Sequence, residues 1–230
     1  MTDMKKCAAE AVGTFYLCFA GISSILVVTM NGWDGDSGGL LIIAMAHGLA
    51  LSIGVSVTGG ISGGHLNPAV TISMLVTGRI PLPLALKYIV FQILGASIAA
   101  YLCTVLFAGT DAVAAANLGI PLPGEAFANP TTIILGEFIL TFLLVTSVFG
   151  TAVDERGRAV KFGALAIGLT VAFDILAGGA ITGASMNPAR SLGPALIQGD
   201  FQFHWCYWVG PVLGAVAAGL FYDRVLLDKK

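Results

Sequence analysis

The chain alternates long apolar stretches with short polar ones. Six apolar stretches have the roughly 17–25 residues that a helix needs to cross a bilayer core, near residues 8–30, 40–59, 84–107, 131–152, 162–178 and 205–227. The first stretch carries Glu10 and lacks a clean small-x-small cleavage site, so we interpret it as a retained helix and not as a signal peptide. The pattern predicts an all-α membrane protein with six transmembrane helices.

Two shorter, semi-apolar segments follow the second and the fifth of these stretches. They begin with Asn67-Pro68-Ala69 and Asn187-Pro188-Ala189. Each runs for only about ten residues before a glycine, a length typical of re-entrant segments. Asn is a good N-cap and Pro is favoured at the first helical position, so each tripeptide predicts the start of a short half-helix. The Gly-rich runs before each tripeptide predict a non-helical entry: Gly59-Gly60 and Gly63-Gly64 in the first half, Gly178-Gly179 and Gly183 in the second.

The two Asn-Pro-Ala copies lie in matching surroundings. Residues 61–69 match residues 181–189, and residues 9–15 resemble residues 136–142. Because each half holds three spans, the second half must enter the membrane in the opposite sense, giving an inverted 3+3 repeat with its site near the midplane. We therefore predict one channel domain over 1–230, with a first half at 1–107, an external connector at 108–130 and a second half at 131–230.

Helix capping also predicts the chemistry of the centre. Each half-helix N-terminus carries about half a positive charge from the helix dipole. Asn67 and Asn187 can cap their helices through the side-chain oxygen while the amide NH2 points into the gap. Two donors and two positive helix ends would then surround one small opening, which suits neutral acceptors such as water and repels cations.

The distribution of charged residues predicts the orientation of the chain in the membrane. The chain is 57% hydrophobic and 10% charged, whereas soluble domains carry about 25% charged residues. Ten of the eleven Lys and Arg residues fall on one side if the spans alternate, which predicts cytoplasmic termini: Lys5, Lys6, Arg79, Lys87, Arg156, Arg158, Lys161, Arg224, Lys229 and Lys230. The exception is Arg190 in the second Asn-Pro-Ala segment, where a charge needs a water-filled cavity. The compact termini favour a prokaryotic inner membrane.

The motifs resemble one family over essentially the whole chain. The doubled Asn-Pro-Ala, with His-Leu-Asn-Pro-Ala-Val-Thr (65–71), Asn-Pro-Ala-Arg-Ser (187–191) and Gly-Pro-Ala (193–195), is similar to the aquaporin, or major intrinsic protein, family. The resemblance implies a passive pore of six helices and two half-helices, usually a homotetramer with one pore per subunit. We expect no enzymatic activity, cofactor, metal or nucleic-acid partner.

Four positions at the outer constriction sort members of this family by solute. Counting from the two Asn residues, they are His47, Ile175, Ala184 and Arg190 here. The set departs from that of water-selective members and resembles the plant vacuolar-membrane group, which implies a wider constriction. Water-selective members typically carry His at the position of Ile175, so Ile175 removes a hydrogen-bond donor from that wall. His47 restores a polar group on the opposite wall. We expect water to pass, together with small neutral solutes such as ammonia, urea and hydrogen peroxide.

Other functions stay open. Glycerol-type facilitators usually carry Asp directly after the filter Arg and Lys four residues further on. Ser191 and Ala195 stand there and favour the aquaporin branch, with a glycerol-type facilitator as the alternative. An inverted repeat also fits an ion-coupled secondary transporter. A junction protein receives little support from the short external loops.

A few polar residues inside the spans need separate interpretation. We expect Glu10 and Glu137 to accept hydrogen bonds from the re-entrant loops, because backbone groups in a membrane must be satisfied internally; a proton relay is the alternative. His65 would either line the inner vestibule or support its loop. Asp174 adjoins Ile175 and has Gly54 as its counterpart in the first half; it would either pair with a neighbour near the outer mouth or be a chance variant. The four cysteines show no metal-binding spacing and suit packing.

Overall fold

Six long helices surround two short ones that meet near the centre of the bundle. The computed structural model describes residues 1–228, so Lys229 and Lys230 of the charge pattern lie outside the described residues. Its α-helices are α1 (Asp3–Met30), α2 (Ser37–Ser62), α3 (Pro68–Val76), α4 (Leu82–Leu106), α5 (Ala112–Ala115), α6 (Pro130–Val148), α7 (Glu155–Arg158), α8 (Gly163–Thr182), α9 (Pro188–Gln198) and α10 (Cys206–Phe221).

Six of these helices have the length and the apolar composition needed to cross a membrane: α1, α2, α4, α6, α8 and α10. The helices α6 and α10 each continue into a turn of π-helix, at Phe149–Val153 and Tyr222–Leu226. Two 3₁₀ turns, Asn117–Gly119 and Glu125–Phe127, lie in the segment between α4 and α6. The six predicted spans are therefore confirmed as helices, and the described residues contain no strand.

The ends of α2 and α8 differ from the prediction. Of the glycines expected to be non-helical, Gly59-Gly60 and Gly178-Gly179 lie inside these helices, whereas Gly63-Gly64 and Gly183 lie beyond them as predicted. The helices end later, at Gly63 and Gly183, where φ is +96° and +83°. Glycine is tolerated within membrane helices because neighbouring elements satisfy and cover the backbone. A left-handed glycine just beyond the last turn is a common helix terminator, so Gly63 and Gly183 end the two helices.

Close helix crossings depend on small residues at equivalent places in the two halves. Gly95 of α4 lies against the backbone of Ala11 in α1, and Gly214 of α10 lies against the backbone of Phe138 in α6. A Cβ at either glycine would overlap the facing carbonyl oxygen. Membrane helices associate largely through such close backbone approach, because lipid offers no hydrophobic advantage to association.

The half-helices α3 and α9 start where the sequence predicts. Asn67 accepts a hydrogen bond from the Ala69 N–H at 2.8 Å, and Asn187 accepts one from the Ala189 N–H at 3.0 Å. Each half-helix packs mainly on a long helix of the other half. The Ser73 hydroxyl of α3 donates to a carbonyl of α10 at 2.8 Å, and α9 packs against α4. The two halves are therefore interlocked at the level of the half-helices.

Candidate functional site

The loops that precede the two half-helices have the same backbone conformation. Three residues in each loop have a positive φ: Gly63, Gly64 and Leu66 in the first loop, and Gly183, Ala184 and Met186 in the second. A left-handed conformation costs a residue with a side chain about 1–2 kcal/mol. Leu66, Ala184 and Met186 therefore need outside contacts that hold the loops in this shape.

The second loop is held by Glu137, which is fully buried in α6. Its carboxylate accepts hydrogen bonds from the Ser185 N–H at 2.9 Å, the Met186 N–H at 2.7 Å and the Thr182 hydroxyl at 2.7 Å. The Tyr207 hydroxyl donates to the Thr182 carbonyl at 2.6 Å. These four contacts fix both ends of the loop.

The first loop repeats this arrangement around Glu10. The Glu10 carboxylate accepts from the N–H groups of His65 and Leu66, at 3.0 and 2.7 Å, and from the Ser62 hydroxyl at 2.6 Å. Gln92 adds a further donor at 2.7 Å. Within the described residues, every hydrogen-bond partner of the two carboxylates is a donor. This arrangement supports the loops, and it offers no acceptor to which a proton could be relayed.

The two Asn side chains reach across to the opposite loop. The Asn67 amide donates to the Met186 carbonyl at 2.8 Å, and the Asn187 amide donates to the Leu66 carbonyl at 2.9 Å. From the sequence we expected the whole NH2 group of each Asn to point into the gap. Instead, one N–H of each amide donates to the opposite loop. An amide carries two N–H bonds, so one per Asn is left for the lumen.

A narrow cavity runs past these loops. It is lined by seven of the predicted site residues: His47, His65, Asn67, Ile175, Ala184, Asn187 and Arg190. The room that it offers to the centres of water molecules is about 30 Å³, and a single water needs roughly 10–15 Å³ on this measure. The cavity therefore suits a file of a few water molecules.

Arg190 is buried and held by two partners at the outer end of the cavity. Its Nη1 donates to the Gly119 carbonyl at 2.7 Å, and its Nη2 lies 3.2 Å from Nε2 of His47. His47 Nδ1 lies 2.8 Å from the Ile43 carbonyl and must donate to it, so its Nε2 is the acceptor for Arg190. This tautomer is assigned from the hydrogen-bond partners.

This pairing changes the interpretation of His47. We expected it to restore a polar group on the wall opposite Ile175. Its ring nitrogens are instead both used by protein groups, so His47 offers no N–H to the lumen. Gly21 of α1 makes room for the ring, because a side chain there would overlap the imidazole. Arg190 is therefore the donor at this level, facing the apolar side chains of Ile175 and Ala184.

Sequence reasoning missed the role of the segment between α4 and α6. We expected residues 108–130 to form an external connector, yet Gly119 of this segment contacts Arg190. The contact depends on a turn in which Asn117, Leu118 and Gly119 all have positive φ, at 46°, 50° and 67°. The short Asn-Leu-Gly sequence is the only local signal, and it does not reveal a partner 71 residues away in the chain.

His65 is both anchored and exposed to the cavity. Its Nδ1 lies 3.2 Å from the Thr71 hydroxyl oxygen, and its ring packs edge-on against Tyr88. Thr71 donates its own proton to the Asn67 carbonyl at 3.0 Å, so the imidazole is the donor of the pair. The His65 side chain thus both supports the loop and lines the cavity, two roles that we had treated as alternatives.

Asp174 lies apart from the cavity. It is fully buried in α8, and neither carboxyl oxygen has a hydrogen-bond partner among the described residues. The pairing that we considered for it near the outer mouth is therefore not seen. Within residues 1–228, no group of three or more His, Cys, Asp or Glu side chains could hold a metal ion.

Six membrane-spanning helices around a narrow, water-sized cavity define a channel-type integral membrane protein that crosses the bilayer several times. Two positive half-helix ends and one buried Arg line its lumen. The model of the family described as "Major intrinsic protein" matches residues 1–222, and the chain belongs to that family.

The relatives are plant proteins. The chain is 42% identical over 229 residues to the probable aquaporin TIP2-1 of Oryza sativa subsp. japonica, covering 98% of this chain and 89% of that protein. It is 43% identical over 230 residues to aquaporin TIP2-1 of Zea mays, with the same coverage. These relatives give no support to the prokaryotic inner membrane that the short termini favoured.

The fold is also that of a solved structure. The X-ray structure of the aquaglyceroporin from Plasmodium falciparum superposes with a TM-score of 0.85 at 26% identity, covering 98% of this chain and 97% of that one. The predicted family and fold class are confirmed, including the expectation of a transport protein and not an enzyme.

Proposed function

We propose that this protein is a passive channel for water, with Asn67 and Asn187 at its centre. The observation that carries the proposal is the pair of crossed amides at the N-termini of two half-helices, inside a cavity sized for a file of water molecules. Each amide keeps one N–H for a passing water oxygen. Water can therefore exchange hydrogen bonds with the wall without a large desolvation cost.

Cations are excluded in this proposal by charge. Two half-helix N-termini add about half a positive charge each at the centre, and Arg190 adds a full charge further out. The two buried glutamates are bonded to the loops behind the lumen, so neither presents a free carboxylate to a passing cation. The same bonding argues against an ion-coupled transporter, which needs an acidic group free to take up a proton or cation.

Small neutral solutes besides water are part of the proposal. Ile175 and Ala184 present apolar surface opposite the single donor Arg190. This combination suits ammonia, urea and hydrogen peroxide, which are small and uncharged. A glycerol-type facilitator is the second candidate, favoured by the aquaglyceroporin neighbour and opposed by Ser191 and Ala195.

Stopped-flow permeability of proteoliposomes to water, ammonia, urea and glycerol tests the function and the constriction together. We expect the double change His47→Phe/Ile175→His to preserve water flow and reduce the larger solutes. Leu176→Val is the matched control, because Leu176 adjoins Ile175 on α8 but is exposed on the outer surface of the bundle. Unchanged solute selectivity in the double variant would contradict the constriction residues, and voltage-dependent uptake would contradict a passive channel.

The proposal extends to orientation and assembly. We propose that both termini are cytoplasmic, since ten of the eleven Lys and Arg residues favour that side. We also propose a homotetramer with one pore per subunit, which rests on the family alone. Accessibility of single engineered cysteines to an impermeant thiol reagent tests the orientation, and chemical cross-linking in native membranes tests the tetramer.

A further inference from the structure

We propose that Asn117 and Asp200 act as a positioning pair that sets the solute selectivity of the outer constriction. They do this by holding the Gly119 carbonyl on Arg190. The inference rests on the proposed channel function, and it assigns a role to two residues that do not touch the lumen themselves.

The first observation is a direct link between two external segments. Asn117 donates from its side-chain amide to the Asp200 carboxylate at 2.7 Å. The other carboxylate oxygen of Asp200 accepts from the Gln202 N–H at 3.0 Å, which fixes the orientation of the acceptor. Asp200 follows directly after Gly199, the residue that ends α9. The link therefore joins the segment between α4 and α6 to the end of the half-helix that carries Arg190.

The second observation is that the linked segment has an unfavourable backbone. Asn117, Leu118 and Gly119 are consecutive left-handed residues, and only glycine adopts that conformation without steric cost. Leu118 is fully buried against the cluster that includes Ile22 and Ala189. The turn is thus fixed by a buried side chain in its middle and by the Asn117–Asp200 link at its start.

The third observation is that the turn ends on the constriction. Gly119 presents its carbonyl to Arg190 Nη1 at 2.7 Å, while Nη2 of the same guanidinium lies on His47. Losing the carbonyl would leave Arg190 held at one end only. The guanidinium could then turn about its remaining contact, and the opening beside Ile175 and Ala184 would vary in size. Solutes larger than water are the ones that sense such a change.

The Asp200 carboxylate is suited to a permanent link. The Gln202 N–H and the Asn117 amide hold the pKa of Asp200 below its usual value. The acceptor therefore stays charged at neutral pH, and a charged acceptor makes the stronger hydrogen bond.

A charge swap provides the test. Asn117→Asp alone places two carboxylates against each other and breaks the link. In Asn117→Asp/Asp200→Asn the amide and the carboxylate exchange places, so the new Asn can donate to the new Asp and still accept from the Gln202 N–H. Asp34→Asn is the control for a one-unit change of charge on the same side of the membrane, because among the described residues the Asp34 side chain accepts a hydrogen bond from Thr29 only.

We expect Asn117→Asp to raise the ratio of urea to water permeability roughly twofold to tenfold, the range set by the net strength of one hydrogen bond. The swap should return the ratio to the wild-type value, and Asp34→Asn should leave it unchanged. A wild-type ratio in Asn117→Asp, or no rescue by the swap, would overturn the positioning role. If Asn117→Asp does not reach the liposomes, Asn117→Gly, which keeps the left-handed backbone accessible, takes its place with the same expectation. Failure of the wild-type protein to conduct water would instead refute the proposed function.

Discussion

The Glu137→Gln variant separates loop support from proton relay. The change keeps the size and shape of the side chain, so it creates no cavity. It replaces one acceptor oxygen by an NH2 group that faces donors only. If that group takes the position nearest Met186, the Met186 N–H loses its acceptor, while Thr182 and Ser185 keep theirs on the other oxygen.

The expected cost follows from these contacts. A hydrogen bond to a charged group contributes about 1.5–3 kcal/mol, and a buried donor without a partner costs about 1–3 kcal/mol. Because such terms are not fully additive, we expect a loss of about 3–5 kcal/mol in the free energy of unfolding. At roughly 2–4 °C per kcal/mol for a chain of this size, the melting temperature should fall by about 6 °C or more.

Thermal unfolding of the detergent-solubilised protein measures this loss, and proteoliposome swelling with and without a pH gradient measures transport. Glu125→Gln is the control, since Glu125 lies in an exposed external turn. Loop support predicts a destabilised Glu137→Gln protein whose remaining transport is insensitive to the pH gradient. An unchanged melting temperature, together with the loss of gradient-driven transport, would refute our reasoning and restore the relay.

Three further predictions use other features of the same fold. Asp174→Leu should raise the unfolding free energy by about 1–3 kcal/mol without changing water permeability, because it removes a buried carboxyl that has no partner and lies outside the cavity; a lower melting temperature would contradict this. The Arg156 guanidinium lowers the pKa of Asp154 from 3.8 to about 2. Wild type should therefore be more stable than Asp154→Asn above pH 3.8, and melting curves should show this advantage disappear as the pH falls towards 2. An advantage that grows on acidification would refute the prediction. Gly48→Ala should destabilise the protein, because its Cβ would meet an α8 carbonyl oxygen at 2.6 Å, whereas Gly59→Ala has open space and should be neutral or stabilising by up to about 1 kcal/mol; equal melting temperatures would remove the difference that we infer.

Local chemistry made much of the fold predictable. The starts of α3 and α9 follow from Asn-Pro, because capping and a fixed proline φ act within three residues. The six spans follow from hydrophobic length alone. The ends of α2 and α8 did not follow, since several glycines in each segment could end the helix and tertiary packing decides between them. Composition therefore located each helix, although some ends lie more than a turn away, as at the start of α1 at Asp3.

The candidate site was predictable in its residues but not in its bonds. Counting from Asn67 and Asn187 correctly predicted that His47 and Arg190 line one cavity. Which nitrogen of His47 accepts from Arg190, however, depends on the Ile43 carbonyl. Gly119 could not be found, because its contact depends on a left-handed turn and on a partner in another part of the chain. Hydrogen-bond direction and long-range backbone contacts leave little trace in a single sequence.

The crossed amides also determine when the pore can be completed during synthesis. The two bonds join residues 119 and 121 positions apart, so a nascent chain that has inserted only its first three spans has neither partner in place. Until α9 enters, the Leu66 carbonyl and one Asn67 N–H must be satisfied by something other than the finished protein. The first half thus remains an unfinished intermediate, and the permeation path comes into existence only as the last two helices join the bundle.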